Sequence, residues 1–272
     1  MNEIMRKSTS HLSHHSLVHI ILVSFLLMSG AFVHAQQQNA ALNKLKAMSD
    51  YVGSQNTIKL TYDSDIEVIT PQLEKIQFTN SGGALLSRPN KLYAHRAGGY
   101  SEVELFFDGN TASVFAKSIN EYAQFEGVNS LDELFDALRQ GHGVALPAAD
   151  LLLSNSYEVL MQDVIDVKDL GSGVIGGTEC DSLAFRTKEV DWQIWIAQGD
   201  RPYPCRFSIT SKLVASSPQY SVQISNWQAG DKVAAPDFSF KNTTDAKQVE
   251  IEDLKGTGDL PEIYEIVEGV SK

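Results

Sequence analysis

The run Thr178-Glu179-Cys180-Asp181-Ser182-Leu183-Ala184-Phe185-Arg186 is followed by Asp191-Trp192-Gln193-Ile194-Trp195-Ile196 and then by Pro202-Tyr203-Pro204-Cys205-Arg206-Phe207-Ser208-Ile209-Thr210. In all three, apolar and polar residues alternate. A period of two belongs to a strand with one dry and one wet face, and three such runs joined by short turns predict an antiparallel meander. The dry face carries Leu183, Phe185, Trp192, Ile194, Ile196, Phe207 and Ile209.

Back at the amino terminus, Arg6 and Lys7 precede an apolar run from Leu17 to Phe32 that ends in Val33-His34-Ala35. This is the pattern of a secretory signal peptide cleaved between Ala35 and Gln36. His19, Ser24, Ser29 and Gly30 interrupt the run, which falls short of the ~20 apolar residues of a membrane span. Gln36 is not the cysteine that a lipoprotein signal requires. The mature chain is expected to be soluble and periplasmic, not an integral membrane protein. The full chain has a net charge of -12, and loss of Glu3, Arg6 and Lys7 takes the mature part to -13. Nucleic acids and anionic headgroups attract basic patches, so this balance argues against both as partners.

An exported chain can keep a disulfide, which makes Cys180 and Cys205 a candidate pair. Cys180 opens the first strand of the block and Cys205 the third. In a plain meander, two inter-strand spacings of ~4.8 Å put their Cα atoms about 10 Å apart, beyond the ~4.4–6.8 Å a disulfide spans. Strong twist or a bulge would be needed to close the bond, and two buried thiols are the alternative. The mature histidines, His95 and His142, stand at no ligand spacing from either cysteine, so neither a metal nor a cofactor is implied.

Elsewhere Leu42, Leu45, Met48 and Val52 recur at helical spacing before Gly53. Period two then takes over. Ile58, Leu60 and Tyr62 alternate with Lys59, Thr61 and Asp63, Ile66 and Val68 with Glu67, and Ile76 and Phe78 with Lys75, Gln77 and Thr79. Further strands fall at Lys91 to Arg96, at Val103, Leu105 and Phe107, at Ser113 to Phe115 after the Asp108-Gly109-Asn110 turn, and near Tyr122 to Phe125. Ser130 through Glu133 has the form of a helix capping box, and Leu131, Leu134, Phe135 and Leu138 follow on one stripe. Two more helical stretches are predicted, at Ala148 to Leu153 and from Asn155 through Leu160. Strands resume at Ile165 and Val167, and Tyr220, Val222 and Ile224 mark the last clear one.

About ten strands of this kind, with helices at the start and in the middle, predict an α+β fold: a strongly curved antiparallel sheet, or half-barrel, with helices covering its concave face. It is expected to span residues 36–245 after a signal peptide at 1–35. An acidic, mobile tail covers 246–272. The inward residues Leu60, Ile76, Phe78, Val103, Leu105, Phe107, Phe185, Trp192, Ile194, Ile196, Ile209 and Val222 are candidate pocket lining, with ordinary core as the alternative for each.

The block from Cys180 to Phe207, its Gly199 turn, and the ending Pro236-Asp237-Phe238-Ser239-Phe240-Lys241 resemble a family of predicted periplasmic proteins of unknown function, over residues 38–245. That family is similar in fold to the lipoprotein carriers of the LolA/LolB-like superfamily, whose half-barrel closed by helices shields acyl chains. The resemblance implies a non-enzymatic binding or carrier protein for a lipid, an acyl chain or another hydrophobic ligand. No partner-binding residues of the carriers match positions here.

Two other classes stay open. An envelope structural or interaction protein would have a filled core and use its outer surface, where alternation places Phe106 and Trp195 as aromatic anchors for a protein partner. An enzyme would have to rest on carboxylates such as Glu102 and Glu104, which read as solvated groups on a strand's outer face. No nucleophile, base and orienter are united by spacing, and no phosphate loop, paired-histidine motif or Gly-x-Ser-x-Gly elbow occurs.

Overall fold

The computed structural model describes residues 36–141, 148–231, 233, 237–258 and 260. His142, Pro236 and the segment up to Ala35 lie outside them. Twelve strands form one sheet: β1 (Thr57–Ile69), β2 (Lys75–Ser87), β3 (Lys91–Gly98), β4 (Glu102–Phe107), β5 (Thr111–Ala116), β6 (Glu121–Glu126), β7 (Asp166–Ile175), β8 (Thr178–Arg186), β9 (Val190–Ala197), β10 (Pro204–Ser211), β11 (Gln219–Ala229) and β12 (Lys247–Gln248). Their order in space is β12-β6-β5-β4-β3-β2-β1-β11-β10-β9-β8-β7. Two meanders therefore meet where β11 pairs with β1, and the ends β7 and β12 stay apart. The sheet is curved and unclosed, a half-barrel, antiparallel throughout except for β12 on β6.

Register puts the apolar residues of successive strands in rows across one face. Ile58 faces Leu86, which faces Leu92, which faces Phe107 and then Ala112. On the other side of the seam, Val222 faces Phe207, Ile194 and Leu183 in turn. All of these are buried in one core cluster, so the face read as dry from alternation is the dry face. β2 runs on to Ser87, past the alternation that ends at Thr79. It passes through Gly82, where a Cβ would lie 2.3 Å from the His95 carbonyl and 2.6 Å from the Tyr62 ring, so a residue without one is needed for the strands to close there.

A helix over 36–54, α1, lies on this face. Ala41, Leu45, Met48 and Val52 form its fully buried stripe, and each of the larger three contributes about 1.5–3 kcal/mol of burial. Its flank is pinned by Lys44, whose Nζ donates to Asp169 on β7 and Asp181 on β8 at 2.9 Å each. Burial pushes the Lys44 ammonium down, yet the two carboxylates outweigh it and leave it raised. Asp169 is raised by burial but held below its ordinary value by Lys44 and the Gly171 N–H. The signs define a window. A depressed carboxylate adds stability above its unfolded value of 3.8 that is lost as pH falls through the folded value, and a raised lysine adds stability below 10.5 that is lost above it. Lys44→Met should cost about 1 kcal/mol, since the groups are partly exposed. The loss should be flat from pH 5 to 9 and shrink at the acid end; pH-dependent urea melts of both proteins check this.

The second helical unit begins at α2 (Leu131–Asp136) and widens into a π turn at Ala137–Gly141. Ser130 Oγ accepts the Glu133 N–H at 3.1 Å as the capping box requires, while the Glu133 carboxylate takes the Asn129 N–H at 2.8 Å. A 3-10 turn (Ala149–Leu152) and α3 (Ser156–Leu160) follow. Two contacts tie this unit to its surroundings: Arg88 Nη2, just past the end of β2, donates to the Leu152 carbonyl at 2.7 Å, and the Tyr157 N–H donates to Ser49 Oγ of α1 at 3.0 Å.

Three expectations change. Of residues 246–272, expected as an acidic, mobile tail, Lys247 and Gln248 are laid on the sheet against Glu121 and Tyr122 and Ile251 is buried in the core, while residues 259 and 261–272 lie outside those described. Backbone pairing and one apolar side chain do what the acidic composition hides. Cys180 and Cys205 are buried free thiols, not a disulfide. Cys180 faces Ala197 of the intervening β9, and the bulge at Cys205 does not bring the pair within bonding distance. Burial pushes both thiols up, Cys205 furthest, which keeps them protonated and unreactive. Phe106 and Trp195 are also covered by this chain. Phe240 packs on Phe106 at 5.5 Å, and the Arg206 guanidinium lies over Trp195 at 5.8 Å.

Candidate functional site

The helical unit does not seal the concave face completely. Between Phe135, Leu138, Leu151 and Leu152 above and strands β1 to β5 and β11 below lies a half-open cavity of about 150 Å³. Its floor has a grain. Leu60, Ala84, Ala94, Leu105 and Val114 make one cross-strand row, and the next row reads Ile224, Tyr62, Gly82, Arg96 and Val103. Ser64, opposite Val222, lies one step further on, and Tyr220 one step beyond that. The inner end is thus apolar, and hydroxyls and a guanidinium collect at the other. There the carboxy-terminal segment crosses the floor. Arg96 Nη2 donates to the Thr257 carbonyl, and Ser101 Oγ donates to the Gly258 carbonyl at 2.7 Å.

Of the candidate pocket residues, Leu60, Val103, Leu105 and Val222 line this cavity. The others do not. Phe185, Trp192, Ile194 and Ile196 fill the β8–β9 half, where Phe185 stacks on Trp192 at 3.8 Å and 7°. Phe107 is fully buried and Ile209 packs against the same core. Ile76 and Phe78 sit at the far end of β2, with Phe78 edge-on to Tyr100 at 5.6 Å. Large side chains fill the space they face, so the void opens where the floor is built from Ala84 and Ala94. Sequence reading favours large apolar residues and passes over that alanine pair, although alanines facing each other between leucines are the legible signal of unfilled room. The outer-face carboxylates Glu102 and Glu104 both pair with Lys117, the latter at 3.6 Å, and Tyr93 donates to Glu104 at 3.4 Å. They form a solvated ion-pair cluster. No cluster of metal-ligating side chains occurs among the described residues.

A family profile described as "Predicted periplasmic protein (DUF2092)" matches residues 41–252. The chain belongs to this family. Membership of the DUF2092 family places it in the periplasm, and among the described residues no helix is long and apolar enough to cross a membrane. No curated protein matches it. Among solved structures, it is similar to LprF from Mycobacterium bovis, with 10% identity and a TM-score of 0.45 over 74% of this chain and 98% of that one. It is similar to lipoprotein LppX from Mycobacterium tuberculosis, with 14% identity and a TM-score of 0.37 over 70% and 95%. A LolA superfamily protein from Nitrosomonas europaea gives 13% identity and a TM-score of 0.33 over 74% and 97%.

Proposed function

We propose that this chain is a non-enzymatic periplasmic binding or carrier protein for an acyl chain or another apolar ligand. The observation that carries the reading is the cavity between the alanine-floored row and the helical unit. Its inner end offers apolar contact with no polar group that a ligand would have to satisfy. Each methylene of an acyl chain buried there contributes about 0.8 kcal/mol. The void of about 150 Å³ is smaller than the ~300–1,000 Å³ of typical ligand sites, so a long chain would have to displace Leu151, Leu152 or Phe135 outward. The same modest volume, with the filled β8–β9 half, favours a second reading, an envelope interaction protein with no cargo.

A long-chain fluorescent probe separates the two. Titrating 11-(dansylamino)undecanoic acid into the purified mature protein should give saturable blue-shifted emission with one site per chain. Emission that rises linearly without saturation would leave the cargo-free reading.

A further inference from the structure

Antiparallel pairing sets five turns along one rim of the sheet, those joining β1 to β2, β3 to β4, β5 to β6, β8 to β9 and β10 to β11, together with the entry to β7. Seven large apolar side chains are exposed among the described residues, and five of them stand on this rim: Ile119, Tyr100, Leu73, Leu213 and Ile165, in spatial order. The other two, Leu170 and Val174, lie on the edge strand β7, and the turns of the opposite rim, at 88–90, 108–110, 176–177 and 198–203, carry none. Apolar residues exposed singly are ordinary on a soluble protein. Here they form a row confined to one rim, and from Ile119 to Leu213 they recur every two strands, at intervals of about 10 Å. Leu73 adds a local signal. Its backbone is left-handed, with φ at 64°, where leucine is strained and asparagine or glycine is at ease, and its side chain is 60% exposed. Folding alone would favour either of those residues at such a tip. The charges of the rim also differ from those of the chain. Lys117, Lys188 and Lys212 balance Glu74, Asp163 and Glu189 in these turns, whereas the whole chain has a net charge of -12. The polar end of the cavity, with Ser64 and Tyr220, lies toward the same rim.

We propose that this rim docks on the surface of a zwitterionic lipid bilayer, with the five apolar tips entering the interface and the polar end of the cavity turned toward the lipid. Interfacial binding scales with the apolar area it buries and needs no spanning helix, and none is found among the described residues. Neutral turns complement a surface without net charge and spare the rim the repulsion that the acidic chain would otherwise meet there. The inference goes beyond the carrier reading and stands without it, since a half-barrel with a filled cavity would dock in the same way.

Co-sedimentation of the mature protein with sucrose-loaded vesicles of phosphatidylcholine and phosphatidylethanolamine tests it. The wild-type protein should pellet with the vesicles, and added phosphatidylglycerol should not strengthen binding. Leu73→Asn combined with Leu213→Ser should lower the partition coefficient by about tenfold or more, as the loss of two partly buried leucines implies. Its melting temperature should be unchanged or raised, because asparagine suits the left-handed turn. If the double variant melts early, Leu73→Asn alone carries the comparison. Val174→Ser removes a side chain that is 65% exposed on β7, away from the rim, and should bind like wild type. Failure of the wild-type protein to pellet, binding that requires phosphatidylglycerol, or an equal loss in Val174→Ser and the rim variants overturns the docking proposal. Titration of the same preparation with 11-(dansylamino)undecanoic acid keeps that failure apart from the carrier reading, which stands if uptake of the probe saturates.

Discussion

Ile194→Asp should leave the mature protein largely unfolded at 25 °C, at a cost of about 4 kcal/mol or more, out of the ~5–15 kcal/mol that hold a domain together. Ile194 is fully buried, with Leu183 and Phe207 as its cross-strand neighbours, and neither offers a cation or donor to a carboxylate. The side chain would bury an unpaired charge or fold only as the protonated acid, and both states are costly. Gln193→Asp, one residue earlier on the exposed face of the same strand, should change stability by less than about 0.5 kcal/mol. Urea denaturation followed by tryptophan fluorescence measures both. A melt of Ile194→Asp that matches wild type, with Gln193→Asp destabilised, would mean the strand is turned over, because one step of register exchanges its faces.

The second large effect belongs to the cavity. Ala94→Phe should lower acyl-probe affinity by more than about tenfold while the fold survives, since a dry apolar void of ~150 Å³ is known to accept a benzene ring. Ala94 lies between Ala84 and Leu105 in the floor, so a ring attached there occupies the space the ligand would use. Ala97→Phe is the control. Ala97 is exposed and faces Ser81 and Glu102, outside the cavity rows, and an added ring there should leave uptake unchanged. Isothermal titration with the same probe checks the pair. Undiminished uptake by Ala94→Phe would place the ligand elsewhere on the molecule.

The fold was legible because its largest residues obey one rule. Trp192, Ile194 and Ile196 alternate with Gln193 and Trp195, and the burial of the first three gives the strand one dry face. The helix caps and the Asp108 turn were equally plain, since the Asn110 and Thr111 N–H groups both donate to Asp108 Oδ1 at 3.0 Å. What hid was whatever depends on neighbours far along the chain. The pairing of β12 with β6 joins residues that no periodicity links, and two residues give no period. Arg96 reads only as the end of a strand until register places it opposite Gly82 and Val103. Ala84 and Ala94 carry too little apolar area to stand out, yet their smallness makes the room. The cover over Phe106 hid for a related reason: the segment that carries Phe240 folds back over Phe106, Phe115 and Tyr122.

The central claim is that the concave face holds an acyl chain. Native mass spectrometry of the protein purified from the periplasm, followed by solvent extraction and lipid analysis, tests it most directly. The account predicts an adduct of lipid mass on the wild-type protein, removed by extraction and absent from Ala94→Phe. A single species at the polypeptide mass, with no extractable lipid from either protein, would contradict it.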